Sequence, residues 1–186
     1  MKESPFVKIF EDAAKLVTGS NLTIKRKTNL LYQLYLDNHL NLCVNDIKHP
    51  KRGNSAFQVD LCIFQNRGND LLIPRIAIEF KTRITTHDIL TYSSKAGKHK
   101  DIYPFLRYGM IASDVESIPG RFFIHNNHID FMIAAKAHKN KSKLLDFAKE
   151  LINQELKISH ILEDIHFKNK KYDYYRKDIV FKNFKK

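Results

Sequence analysis

Phe57-Gln58-Val59-Asp60-Leu61-Cys62-Ile63-Phe64 and, after a short break, Ile76-Ala77-Ile78-Glu79-Phe80-Lys81 decide how this chain folds. Both runs are apolar enough to read as buried strands, yet each carries a carboxylate where packing alone favours an apolar side chain. Between them Asn66-Arg67-Gly68-Asn69-Asp70 is a strong turn signal. In an extended strand residues i and i+2 share a face. Glu79 and Lys81 therefore project together while Ile78 and Phe80 pack behind them, and if the strands are neighbours Asp60 joins the pair. Two carboxylates and an ammonium at a sheet edge suit a divalent metal ion and a reactive water, the chemistry of phosphodiester hydrolysis.

Working outward, Ser4-Pro5 predicts a helix start, with Phe6, Ile9, Phe10, Ala13, Ala14 and Val17 at helical spacing and Gly19 as a stop. Leu30, Leu31, Leu34 and Leu36 predict a second helix from about Thr28 to Leu40. Lys48-His49-Pro50-Lys51-Arg52-Gly53-Asn54 reads as a basic loop before the acidic strands. After them Thr86-His87-Asp88 caps a third predicted helix running to about Lys100, and a strand follows from Phe105 to Ala112. Phe122-Phe123-Ile124 and Ile129 to Ala134 flank Asn126-Asn127, which predicts a hairpin or a kinked strand. A last helix is expected from Lys141 to Glu155.

The chain has 186 residues, long enough for one core, and 43% hydrophobic residues, which argues against wholesale disorder. Its 32 Lys and Arg against 20 Asp and Glu leave a formal charge of +12, which favours a polyanionic partner. Charge alone does not separate an enzyme from a basic binding protein. Cys43 and Cys62 lack metal-ligand pairing and are too few for a disulfide framework, so a reducing compartment is expected. No apolar run reaches membrane-spanning length and no leader pattern stands out, so the expectation is a cytoplasmic protein with no membrane partner.

The stretch from Lys168 to Lys186 holds eight Lys and Arg against two Asp, half of the whole positive excess. Tyr172, Tyr174, Tyr175, Phe181 and Phe184 are interleaved with them. Such a surface suits phosphate contacts with base stacking. Packing of those aromatics on the core, with the lysines in water, explains the pattern equally well.

Phosphodiester hydrolysis needs an activated water and neutralisation of the growing charge. Mg²⁺ takes one or two carboxylates, keeps several waters and binds substrate oxygens. Asp60 and Glu79 are the carboxylate candidates, the backbone carbonyl of Phe80 is a third oxygen, and Lys81 orients or deprotonates the water and offsets transition-state charge. The plain alternative is a surface ion pair of small energetic value.

Val59-Asp60, eighteen intervening residues, then Glu79-Phe80-Lys81 resembles the PD-(D/E)xK nuclease superfamily, which includes many type II restriction endonucleases. Val59 stands where the name-giving proline would be, which leaves the metal ligand intact. The order of helices and strands also resembles that superfamily's αβββαβ core, from about Ser4 to Ala135. The resemblance implies an α/β fold with a central mixed sheet flanked by helices. It implies one nuclease domain over residues 1–186, its core spanning about 4–160 and a basic aromatic extension following at 168–186. It further implies Mg²⁺ with Mn²⁺ as a substitute, double-stranded DNA as substrate and a homodimer cutting both strands. An acidic residue of the first helix sometimes joins such sites, and Glu11 is the match here. By the same resemblance Tyr92, Lys95 and Lys98, on the helix after the motif, are DNA-contact candidates, with a merely solvated basic face as the alternative. Thr82 and Arg83, directly after Lys81, offer donors to a flanking phosphate, and Lys51 and Arg52 of the basic loop join them. The loops 48–54 and 113–121 are candidates for reading base sequence.

His125-Asn126-Asn127-His128 reads as a tight turn, since no further ligands stand at recognisable spacing. No phosphate-binding loop or dinucleotide glycine pattern is present. Three functions remain open: a sequence-specific restriction endonuclease, a Holliday-junction resolvase or DNA-repair or mobile-element nuclease on the same fold, and a basic nucleic-acid-binding protein without catalysis.

Overall fold

The computed structural model describes residues 3–17, 21–44, 46–53, 55–136, 141–176 and 178–182. Gly19, Asn54 and Phe184 lie outside them. In chain order the elements are α1 (Glu3–Val17), β1 (Leu22–Leu31), β2 (Ala56–Asn66), β3 (Leu72–Lys81) and α2 (Thr86–Ile102). Then come β4 (Arg107–Ala112), α3 (Gly120–His125), β5 (Phe131–Ala134) and α4 (Lys141–Phe167).

The two acidic strands are neighbours. β2 and β3 pair antiparallel, with Leu61 opposite Ile78 and Ile63 opposite Ile76. Their connection passes through Gly68, Asn69 and Asp70, all with left-handed backbone, a conformation that Gly, Asn and Asp adopt at least cost. β1 pairs antiparallel on the outer side of β2, while β4 and β5 continue parallel beyond β3. The result is a five-stranded mixed sheet in the order β1-β2-β3-β4-β5, with helices on both faces.

Alternation along the strands builds two cores. Leu61, Ile63, Ile76, Ile78, Phe80 and Ile111 face α1 and α4, meeting Phe10, Ala13, Leu144 and Ala148. Cys62, Ala77, Tyr108, Met110 and Ala112 face α2 and α3, meeting Ile89, Ala96 and Phe122. Glu79 and Lys81 continue the Ala77 series, so they belong to the α2 face.

The expected helix from Thr28 to Leu40 is corrected. Residues 22–31 form β1, and Leu34 and Leu36 are exposed in the loop that follows. The leucine spacing mimics a helical face, but ladder pairing with β2 from Leu22 to Leu31 outweighs it. The hairpin expected around Asn126-Asn127 is also corrected. Phe122 and Phe123 lie in α3, a short crossover that lets β5 run parallel to β4. Asn126 closes that corner: its side chain accepts from the Ile129 N–H and donates to the Ile129 carbonyl, each at 2.8 Å.

The first helix begins at Glu3, one residue before Ser4, and the strand expected from Phe105 is trimmed to Arg107–Ala112. The last helix runs twelve residues beyond its expected end at Glu155. Its inward positions there are polar: Glu155, Ser159 and Glu163 are all buried. Glu155 pairs with Arg107 at 2.6 Å. Glu163 pairs with the fully buried Arg75 of β3 at 2.7 Å and with Arg67 at 2.6 Å. A buried guanidinium is tolerable only when its donors are met, and Gln65 and Ser159 accept from Arg75 as well.

Candidate active site

Asp60 and Glu79 meet because of strand register. Leu61 faces Ile78, so one step further brings Asp60 opposite Glu79 on the α2 face. There Oδ2 of Asp60 accepts the backbone N–H of Phe80 at 2.8 Å. In a strand the N–H and C=O of one residue point to the same side, so the Phe80 carbonyl also turns toward β2. Lys81, two residues after Glu79, lies on the same face with its ammonium 4.7 Å from the centre of the Tyr92 ring.

Helix α2 closes the site. Thr85 caps it, accepting from the Asp88 N–H, while the Asp88 carboxylate accepts from the Thr85 N–H at 2.8 Å. This capping box fixes the turn between Lys81 and the helix. Tyr92 and Lys95 then fall one turn apart over the strands. The Lys95 ammonium lies 2.5 Å from Oε1 of Glu79 and also donates to the Gln58 carbonyl. From β4, the Tyr108 hydroxyl donates to the same Oε1 at 2.5 Å.

Electrostatics follow from this enclosure. Burial pushes the Glu79 carboxyl up to about 7, Lys95 pulls it down and neighbouring Asp60 raises it again. Burial alone would lower the Lys81 ammonium, but Tyr92, Asp60 and Glu79 together hold it above its ordinary value. Tyr108 is buried and its phenol is pushed well up by burial and by Glu79, so it stays a donor. With Glu79 ionised the charges balance, two carboxylates against two ammonium groups.

No family model matches the chain, and no curated protein matches it in sequence. The site is therefore read from its own chemistry.

Among the described residues no group of three or more His, Cys, Asp and Glu side chains gathers as a metal cluster. The donor set is smaller and hard: the carboxylates of Asp60 and Glu79 and the Phe80 carbonyl. One or two carboxylates are what Mg²⁺ ordinarily takes from a protein, so these residues fit it.

The other candidates divide. Glu11 is on α1, on the far side of the sheet, where its carboxylate pairs with Lys15 at 3.1 Å and with Arg26. Among the described residues no hydrogen bond or ion pair joins it to Asp60, Glu79 or Lys81. Lys95, expected as a DNA contact, is instead inside the site on Glu79. Tyr92 is there too, its ring beside both Lys81 and Lys95. Lys98 is exposed one turn further along α2, over the Tyr32 ring at 5.5 Å. Lys51 and Arg52 are exposed in the loop before β2, and Thr82 and Arg83 are exposed just beyond Lys81, with Arg83 near Asp114 at 3.5 Å. His125 and His128 flank the corner closed by Asn126.

Two roles on Glu79, the Lys95 ion pair and the Tyr108 hydrogen bond, were not foreseen from the sequence. Lys95 reads as one lysine of a solvated basic helix face, and Tyr108 as a core aromatic. Their spacing from Glu79, 16 and 29 residues, carries no local signal.

Proposed function

We propose that this chain is a divalent-metal-dependent nuclease acting on double-stranded DNA, most specifically an enzyme of the type II restriction class in the PD-(D/E)xK superfamily. The observation that carries the reading is the convergence of Asp60, Glu79 and Lys81 on one face at the open end of the β2–β3 hairpin. The element order from α1 to β4, a helix, three strands, a helix and a strand, supports the same assignment. Asp60, Glu79 and the Phe80 carbonyl would hold Mg²⁺, or Mn²⁺ in its place. When bound, the ion supplies Lewis-acid polarisation of the phosphate and a lowered pKa for its water.

The chain's own residues do the rest. The Phe80 N–H fixes the Asp60 carboxylate, and Tyr108 fixes that of Glu79. Lys81, held above its ordinary value, remains an ammonium at neutral pH. It therefore orients the attacking water and neutralises charge on the pentacovalent transition state rather than accepting the proton. Thr82 and Arg83 just beyond Lys81, Lys98 one turn along α2 from Lys95, and Lys51 and Arg52 of the loop before β2 are exposed and suit phosphate contacts. Duplex cleavage at a symmetric site calls for two copies of the chain related by a two-fold axis. No helix among the described residues is long and apolar enough to cross a membrane.

The Lys95–Glu79 pair favours a second reading, a basic DNA-binding protein whose acidic strands form a structural ion-pair cluster. Incubation of a plasmid with pure protein and Mg²⁺ separates the two. Discrete fragments support restriction, and cleavage confined to branched DNA supports a resolvase. Salt-sensitive binding without cleavage under any divalent ion overturns the nuclease reading.

A further inference from the structure

Resting on that metal-site reading, we infer that Lys95 is an internal counter-ion that occupies Glu79 until a divalent cation displaces it. The Lys95 side chain is 14% exposed and that of Glu79 3%, so this pair is almost closed from water. A carboxylate buried to that degree needs a compensating charge. In the described structure that charge comes from α2 and not from the strands that carry the acidic residues.

The hydrogen bonds at the site use one oxygen of each carboxylate. Lys95 and Tyr108 both engage Oε1 of Glu79, and the Phe80 N–H engages Oδ2 of Asp60. The opposite oxygens, Oε2 and Oδ1, have no hydrogen bond or ion pair among the described residues. With Asp60, Glu79, Lys81 and Lys95 all ionised the site is neutral. Adding a dication while keeping Lys95 in place would bring the net charge to +2 in a half-buried space, which Coulomb repulsion opposes. Releasing Lys95 halves that excess. The release has a route, because Ser94 and Lys98 beside Lys95 on α2 are exposed and the lysine stem is flexible. Once out, the ammonium stays tethered beside Lys81 and faces the incoming phosphodiester.

The test uses the intact chain and Ca²⁺. Calorimetry gives the Ca²⁺ affinity, with Asp60→Ala to show that binding is at this site. Acetic anhydride labelling with mass spectrometry then reads each lysine with and without Ca²⁺. Lys95 is expected to become severalfold more reactive on Ca²⁺ binding while Lys98 stays constant. In Lys95→Met, Ca²⁺ affinity at pH 8.5 is expected to tighten about tenfold or more. Asp60-dependent Ca²⁺ binding with Lys95 reactivity unchanged overturns the counter-ion role and leaves the metal site standing. Absence of Asp60-dependent binding overturns the metal-site reading and this inference with it. If Lys95→Met does not fold, the labelling of the unaltered chain still decides.

Discussion

Tyr108 donates its hydroxyl hydrogen to Glu79 at 2.5 Å from the adjacent parallel strand, from a fully buried position. The bond links β4 to the Glu79 carboxylate of β3. Tyr108→Phe keeps the ring and removes only that donor. We expect a loss of about 1–2 kcal/mol in unfolding free energy, measured by urea titration near neutral pH. An unchanged midpoint would mean that Glu79 does not draw on this donor.

Because the Glu79 carboxyl sits at about 7, its charge is switched within the physiological range. Ca²⁺ affinity should rise roughly tenfold per pH unit on approaching pH 7 from below and level off above pH 8. Calorimetry from pH 5.5 to 8.5 checks this. A profile flat from pH 5.5 upward would contradict it. The same shift has an opposite effect on folding. The folded state holds the proton that the unfolded chain loses above 4.5, so this group's contribution falls as pH rises from 4.5 to 7, by roughly 3 kcal/mol.

His99 works against Glu79 in that window. It is fully buried, its Nδ1 is 2.7 Å from the Leu31 carbonyl and its Nε2 has no partner among the described residues. The carbonyl can only accept, so Nδ1 carries the hydrogen. Burial pushes the imidazole down to about 4, so it stays neutral in the fold. The unfolded chain takes up a proton below 6.5, and stability is lost as pH falls from 6.5 toward 4. His99→Gln should therefore gain on the parent protein as pH falls through that range, by roughly 3 kcal/mol in denaturant titrations. A constant difference across pH would show that His99 is protonated alike in both states.

Glu163→Ala removes the carboxylate that serves Arg75 and Arg67 at once. It leaves a guanidinium buried without a counter-charge, and we expect destabilisation of about 3–5 kcal/mol by chemical denaturation. Ca²⁺ affinity of the folded fraction should not change, because this pair lies on the α4 side of the sheet. A loss of affinity without a loss of stability would contradict the separation of the two networks.

How much of this was legible in the sequence depends on whether the deciding contact is local. Glu79 and Lys81 share a face because strand periodicity is two, and the turn at 66–70 forces β2 beside β3, so the placement of Asp60, Glu79 and Lys81 on one face could be read directly. β1 was hidden because Leu30, Leu31 and Leu34 fit a helix until β2 supplies a ladder. The far half of α4 was hidden for a different reason. Its inward face carries Glu155, Ser159 and Glu163, so the apolar stripe stops although the helix continues, and the partners Arg107 and Arg75 lie on distant strands. Lys95 and Tyr108 are likewise visible only once α2 and β4 are laid against β3.

The most direct measurement compares Asp60→Ala and Lys81→Ala for two readouts in parallel, Ca²⁺ affinity and single-turnover cleavage of plasmid DNA with Mg²⁺. The account predicts that Asp60→Ala loses both, whereas Lys81→Ala keeps Ca²⁺ binding and loses cleavage by about 10²-fold or more. Cleavage that survives in both variants would contradict the assignment of the site.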